Sequence, residues 1–527
     1  MVGPLCTQHR HTLPAMTDLP LLTHVPPRRS VLRALATLPI LGSGLLHPVW
    51  AQGTADPARN AQAWRAMSRV GYGPSAALAQ TVQGASSPRD WALAQVDAAY
   101  AASQQTPRIP TEWAGINAPL PELFAKFREE RQERAKDKGK PKAKEDKPSR
   151  QELLAGDPEY FSRSMALQAV AWRLYASSQP DAENPLLARL TEFWFNHFNV
   201  YIGKGAVRPF TGHYAIHVAR AHALGKFEDL VLASARHPAM LAYLDQAQSV
   251  AENGRGPMGK SRGLNENYAR ELMELHTLGV HGGYTQTDVR ELARVLTGWT
   301  VGPQDSSGFR FVPRLHDTGS KTVLGKHWSG ISFGGGEQEG VEAIRMLARH
   351  PSTAQRICLR LAQFFIADQP AQAAVQALVS TFSNTGGDLR AVMRTLLQLP
   401  DVWQAENSLF KTPMDYACSV LTATDGAREN RNLMLAAGFL ANAGQPVHGW
   451  QTPDGYAFDA ATWLVPEALT RRADFALAVA RQANTEFLTP YLSAATLSNI
   501  AQERPALRAG LMLSLIHISE PTRLGMI

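Results

Sequence analysis

The sequence predicts a mostly α fold, a multi-helix bundle or array carrying one short β-hairpin. Apolar residues recur at helical spacing through most of the chain. Helix stops and starts punctuate that pattern, as at Asn184-Pro185, His237-Pro238 and Gly282-Gly283. Alternation replaces it in a single region, between Ser306 and Trp328. No repeat of fixed period is present, which argues against a solenoid. A chain of 527 residues, 44% hydrophobic and 19% charged, is long enough for roughly two to four domain cores.

Residues 1–51 read as a cleaved export signal. Arg28-Arg29 precede an apolar stretch at 34–46, and Val49-Trp50-Ala51 supplies a small-residue cleavage pattern. The run Arg28-Arg29-Ser30-Val31-Leu32-Arg33 resembles a twin-arginine signal, which carries folded proteins, with an ordinary secretory signal as the alternative. The expected location is periplasmic or secreted. No apolar run reaches the roughly 18 to 20 residues that cross a bilayer, so no transmembrane anchor is expected.

Residues 52–125 hold N-terminal helices, broken at Gly71-Tyr72-Gly73-Pro74, with Ser75 placed to cap the next one. Residues 126–155 read as a charged, partly disordered insertion that starts as a helix and ends in Lys/Pro/Asp low complexity. Between Lys126 and Arg150 stand 11 basic and 6 acidic residues. Together with the leader they account for the formal charge of +7, leaving the body near neutral. Apart from Phe127 at its start, no aromatic residue is interleaved among these lysines for stacking, and no nucleic-acid partner is expected.

Residues 156–512 form the main helical body. The hairpin is expected from Phe309-Arg310-Phe311-Val312 and Lys321-Thr322-Val323-Leu324-Gly325, and a proline-rich aromatic loop covers 445–466. Residues 513–527 stand apart: LSLIHISEPTR at 513–523 looks like a translated sequencing adapter, so a scar is expected in place of the native C-terminus.

Several motifs carry chemistry or its appearance. Gly254-Arg255-Gly256-Pro257-Met258-Gly259-Lys260-Ser261 has the Walker A spelling. A helical pattern at 240–251 precedes it where a buried strand is required, so a Gly/Pro linker is expected. His213 and His217 have i, i+4 spacing without the zinc-protease Glu. Cys358 and Cys418 read as small apolar helix residues.

The segment 263–280, GLNENYARELMELHTLGV, is the most informative. On a 100° wheel Tyr268, Ala269, Leu272, Leu275 and His276 share one side, while Glu266, Arg270 and Glu274 form a row on the other and Glu271 sits at the border. Taken alone, the row is a solvated ladder and His276 a hydrogen-bonded core residue. Asn265 is a suitable N-cap, and Thr285 with Asp288 at N3 suits a second helix start. Residues 316–322 place a His, an acid and a Lys on a turn, as a polar turn or a pocket edge. Asn196-His197 lies inside an aromatic helix end, a core stripe or a pocket wall.

The run NENYARELMELHTLG at 265–279, with Gly282-Gly283-Tyr284-Thr285-Gln286 and Thr297-Gly298-Trp299, resembles the hallmark of the bacterial family called domain of unknown function 1800. The likeness extends to residues 194–198, 220–225, 237–240, 243–245, His316-Asp317 with Lys321, 350–354, 410–413 and 453–456. It implies a mostly helical exported protein, often encoded beside an exported neighbour of sulfatase-like fold, and supplies no established activity. Gln246 stands where the family usually has Asn, and the charged insertion is foreign to its pattern.

The resemblance raises the polar motif residues to a candidate pocket. His197, His316 and Asp317 are its expected metal ligands, a divalent ion being the cofactor suggested. Glu266, Glu271 and His276 would act as acid and base, and Arg270 or Lys321 would hold an anionic group. The function expected is a hydrolase-like enzyme, metal-assisted or acid/base, acting on a polar or anionic substrate. The competing expectation is a non-catalytic scaffold that docks its exported neighbour or a surface polymer, the same residues forming a buried network that locks helix packing.

Overall fold

The computed structural model describes residues 57–137, 160–252, 263–330, 336–407, 409–480, 483–492 and 494–514. The expected export signal, most of the charged insertion, the Walker-like segment and residues 515–527 of the expected scar lie outside them.

The fold is mostly helical, with two small antiparallel sheets. Helices α1 (Pro57–Val70), α2 (Ala76–Gly84) and α3 (Pro88–Ser103) begin it, and the Ser75 hydroxyl accepts the Leu78 N–H as expected of a cap. Helix α4 (Leu120–Asp137) carries the charged segment's helical start. Next come α5 (Phe161–Ser178) and α6 (Pro185–His197), in which every residue from 186 to 197 is buried. A helix buried all round must satisfy its polar groups internally. Arg173 of α5 therefore closes on Glu192 at 2.8 Å, and Arg189 closes on Asp415.

Helix α7 (Thr211–Tyr214) widens into a π-turn over Ala215–Arg220 and packs on α6. It is followed by α8 (Phe227–Arg236) and α9 (Pro238–Tyr243). The helical pattern at 240–251 stops early: Asp245 takes a left-handed φ of 57°, and Lys204 ties down the Tyr243 carbonyl and the Asp245 carboxylate. Helix α10 (Asn267–Glu271) also widens into a π-turn, over Leu272–His276, and α11 (Gln286–Val295) starts at the expected Thr285/Asp288 capping box.

Strands β1 (Trp299–Val301) and β2 (Phe309–Phe311) pair with each other, as do β3 (Lys321–Val323) and β4 (Lys326–Trp328). The single expected hairpin is thus two. Each anticipated strand finds its partner in the nearest segment, and the β3–β4 turn is Leu324-Gly325 with φ of 49° and 78°. Two positive φ values make a tight two-residue hairpin, but Leu is a poor signal for it.

The rest is helical: α12 (Gly336–Ala348), α13 (Pro351–Phe365), α14 (Gln372–Asn384), α15 (Leu389–Gln398), α16 (Pro413–Thr424), α17 (Asn430–Asn442), α18 (Ala460–Trp463), α19 (Pro466–Val479), α20 (Ala494–Ile500) and α21 (Pro505–Ser514). Helix α16 is buried as completely as α6 and packs on α5 and α17. Helix α21 runs through Ser514, past the expected stop near Met512, because Leu513 continues its buried face. No helix among the described residues is long and apolar enough to cross a membrane.

Candidate functional site

The residues expected in one pocket occupy three settings. Glu266, Arg270 and Glu274 form the exposed ladder that their spacing allowed, with Arg270 3.8 Å from Glu266 and 3.6 Å from Glu274. Gln286 bridges it, donating to Glu266 (2.7 Å) and accepting from Arg270 (2.8 Å), so this row joins α10 to α11.

The second setting is buried beside the hairpins. Lys321 donates to Glu339 (2.9 Å), and His316 lies 3.3 Å from the same carboxylate oxygen. The His316 Nδ1–H donates to the Thr297 carbonyl (2.9 Å). Asp317 closes with both oxygens on Arg294 (2.9 and 3.0 Å), and these bonds and the Gly319 N–H hold its carboxyl below its usual value against the opposing effect of burial. Lys321 therefore has a carboxylate already, and Asp317 has an arginine.

The third setting is the end of α6. The His197 Nε2–H donates to the His276 carbonyl (3.1 Å), which fixes the His197 tautomer. Burial, then the charges of Arg360 and Arg356, holds His197 neutral, and burial and Arg356 push His276 down to about 3. No group of three or more His, Cys, Asp or Glu among the described residues is arranged to hold a metal ion. His197, His316 and Asp317 consequently do not form the expected ligand set. His213 and His217 stack at 4.0 Å, and His213 bonds His237 rather than joining His217 on a ligand. Gln246 is buried and donates to the Leu296 carbonyl (2.7 Å), a packing contact.

What α6 positions instead is the loop following α17. Asn196 donates to the Tyr456 carbonyl (3.0 Å) and accepts the Tyr456 N–H (2.8 Å), Asn199 donates to the carbonyls of Trp450 and Thr452, and the Tyr243 hydroxyl donates to Gln451 (2.7 Å). Gly455, at φ 72°, lies so close that a Cβ would meet the Asn196 carbonyl at 2.3 Å. These contacts bring Asp454 to the end of α10.

A cluster of mixed charge results. Glu271 stands half-buried, its carboxylate without a hydrogen bond or ion pair among the described residues, and its carboxyl is raised by burial and by Glu274 and Asp454. Tyr284 lies beside Glu274, burial and that carboxylate pushing its phenol up to about 12. Opposite are Arg356 and Arg360 of α13. Arg356 donates to the Leu275 carbonyl (3.1 Å), and burial followed by Arg356 lowers Arg360 to about 10. Asp454 is the charge shared by Glu271, Tyr243 and Arg360. Of these residues only Glu271 was anticipated as a site residue. Arg356 and Arg360 were missed, and their i, i+4 spacing was the available signal.

Fold and site together define a mostly helical protein whose buried polar motifs knit helix ends and leave a half-buried cluster of mixed charge around Glu271, Arg356 and Arg360. The chain belongs to the family described as Protein of unknown function (DUF1800), whose model matches residues 65–514. No curated protein and no solved structure matches the chain.

Proposed function

We propose that this is an exported enzyme of hydrolase type that works by acid–base chemistry on a polar substrate, with Glu271 as the proton-transferring group. One observation carries the reading. Glu266, Glu271 and Glu274 are all half-buried, but among these motif carboxylates Glu271 is the one whose carboxylate has no bond to another described residue and whose carboxyl is raised above its ordinary value by burial and like charges. A carboxyl so placed keeps its proton to higher pH and can deliver it. The π-turn directly after Glu271 adds weight, since such bulges recur at functional sites.

The network role accounts for the other polar residues. His197, His316, Asp317 and Lys321 are engaged in buried bonds, and their replacement by Ala is expected to lower the melting temperature.

Chromogenic esters, amides, glycosides and phosphoesters offered to the wild type and to Glu271→Gln test the proposal. Turnover in one class should fall by about 10²-fold or more in the variant at an unchanged melting temperature. Turnover that survives the substitution sets Glu271 aside as the acid.

A further inference from the structure

We infer that Arg356 and Arg360 form a recognition site for an oxyanion group of the substrate, a carboxylate, sulfate or phosphate. The inference rests on the charged cluster around Glu271 being the working site and names the chemistry it would recognise. Most arginines withdrawn from water elsewhere in the fold meet a carboxylate, as Arg173 meets Glu192, Arg220 meets Glu183, Arg294 meets Asp317 and Arg189 meets Asp415, while Arg69 and Arg472 are held by backbone carbonyls. Arg356 and Arg360, one turn apart on α13, are half-buried and have no carboxylate within ion-pair distance among the described residues. Asp454 acts on Arg360 from beyond ion-pair distance, and two neighbouring cations compensated only in this way gain from a group that pairs with them directly.

Both side chains are held ready. The Arg356 Nε is used on Leu275, which leaves its terminal nitrogens available. Its stem runs past Gly279, where a Cβ would sit 3.3 Å from the Arg356 Cδ, and the φ of 87° at that glycine disfavours any other residue. The Arg360 guanidinium lies over the Phe458 ring at 5.2 Å, and its Nε is buried without an acceptor. His276 beside them is 1% exposed, and its Nε2 also lacks a partner. A neutral imidazole can donate there without adding charge. An oxyanion would satisfy these donors together, as forked guanidinium groups do.

Isothermal titration of the whole chain with sodium phosphate, sulfate and acetate at constant ionic strength tests this. Saturable binding of at least one anion to one site is expected, weakened about tenfold or more by Arg356→Gln or Arg360→Gln. Glu271→Gln should keep it, because a nearby negative charge is removed. Which anion binds best distinguishes a carboxylate ligand from a sulfated or phosphorylated one. Phenylglyoxal labelling of Arg356 and Arg360, blocked by the bound anion, gives the same answer without a variant. No saturable binding with any of the three, or binding and labelling indifferent to both arginines, overturns the inference. Glu271-dependent turnover without anion binding would leave the acid–base reading standing and remove this one; anion binding without such turnover would do the reverse.

Discussion

Lys411 buries its amine against the Tyr72 carbonyl (3.0 Å) and the Ser419 hydroxyl (2.7 Å), and burial pushes its pKa down to about 7, with Asp415 opposing. Its unfolded value is the ordinary 10.5, so between pH 7 and 10.5 the unfolded chain binds more protons than the folded one. Stability therefore rises with pH across that window, and the penalty is fully present below it. Lys411→Met removes the titration while Ser419 still donates to Tyr72. Urea unfolding at pH 7 and 9 should show the wild type gaining about 2 kcal/mol more than the variant. Equal gains would mean that the amine does not titrate in this window. At this scale the sequence reveals residue types better than their partners. Glu271 at the border of the wheel was legible as a residue able to stay half-buried. The setting of Arg356 and Arg360 was not, because it is made by Leu275, Asp454 and Phe458, which are distant in sequence.

Helix α12 turns a glycine face toward the hairpin region: a Cβ at Gly336 would meet His316 at 2.3 Å, and one at Gly340 would meet the Trp299 ring at 2.4 Å. Alanine is the better helix former by about 1 kcal/mol, so propensity alone makes Gly340→Ala stabilising. Trp299 is wholly buried and packs on Phe309 at 5.0 Å, with Arg236 over its face, so it cannot give way cheaply. Overpacking of this kind costs about 1–3 kcal/mol and should win. A net fall in denaturant stability for Gly340→Ala is expected, and a rise would show that the ring can move. The same elements mark the reach of pattern reading. Local chemistry made the caps at Ser75 and Thr285 legible, since each is satisfied within three residues. The π-turns were not legible: a 100° wheel put Leu275 on the buried side, whereas Met273 is buried and Leu275 half-exposed. His276, on the apolar side of the same wheel, is buried as that wheel has it.

Across the whole molecule five buried histidines share one direction. His197, His213, His237, His276 and His448 are all buried, and burial is the first cause lowering each. Tautomers support this where bonds fix them: His237 accepts the Ala239 N–H at Nδ1, so its Nε2–H donates to His213 Nδ1 (3.0 Å), and a second proton has no acceptor there. These folded values lie below the ordinary 6.5, so the unfolded chain takes up protons that the folded one refuses. Stability is present above pH 6.5 and is lost as pH falls toward the folded values. At pH 5 each histidine that stays neutral contributes a loss of about 2 kcal/mol. Five acting together approach about 10 kcal/mol, comparable with the total stability of an ordinary domain. Asp317 and Glu339, whose pKa values are lowered, add to the loss only at more acid pH. Cooperative unfolding near pH 5 is therefore expected, with net proton uptake, followed by tryptophan fluorescence and by isothermal pH titration. His276→Gln should reduce that uptake by about one proton. A fold that persists unchanged to pH 4 would show that these imidazoles find acceptors when protonated, and with them the case for a neutral His276 donor beside Arg356 would fail.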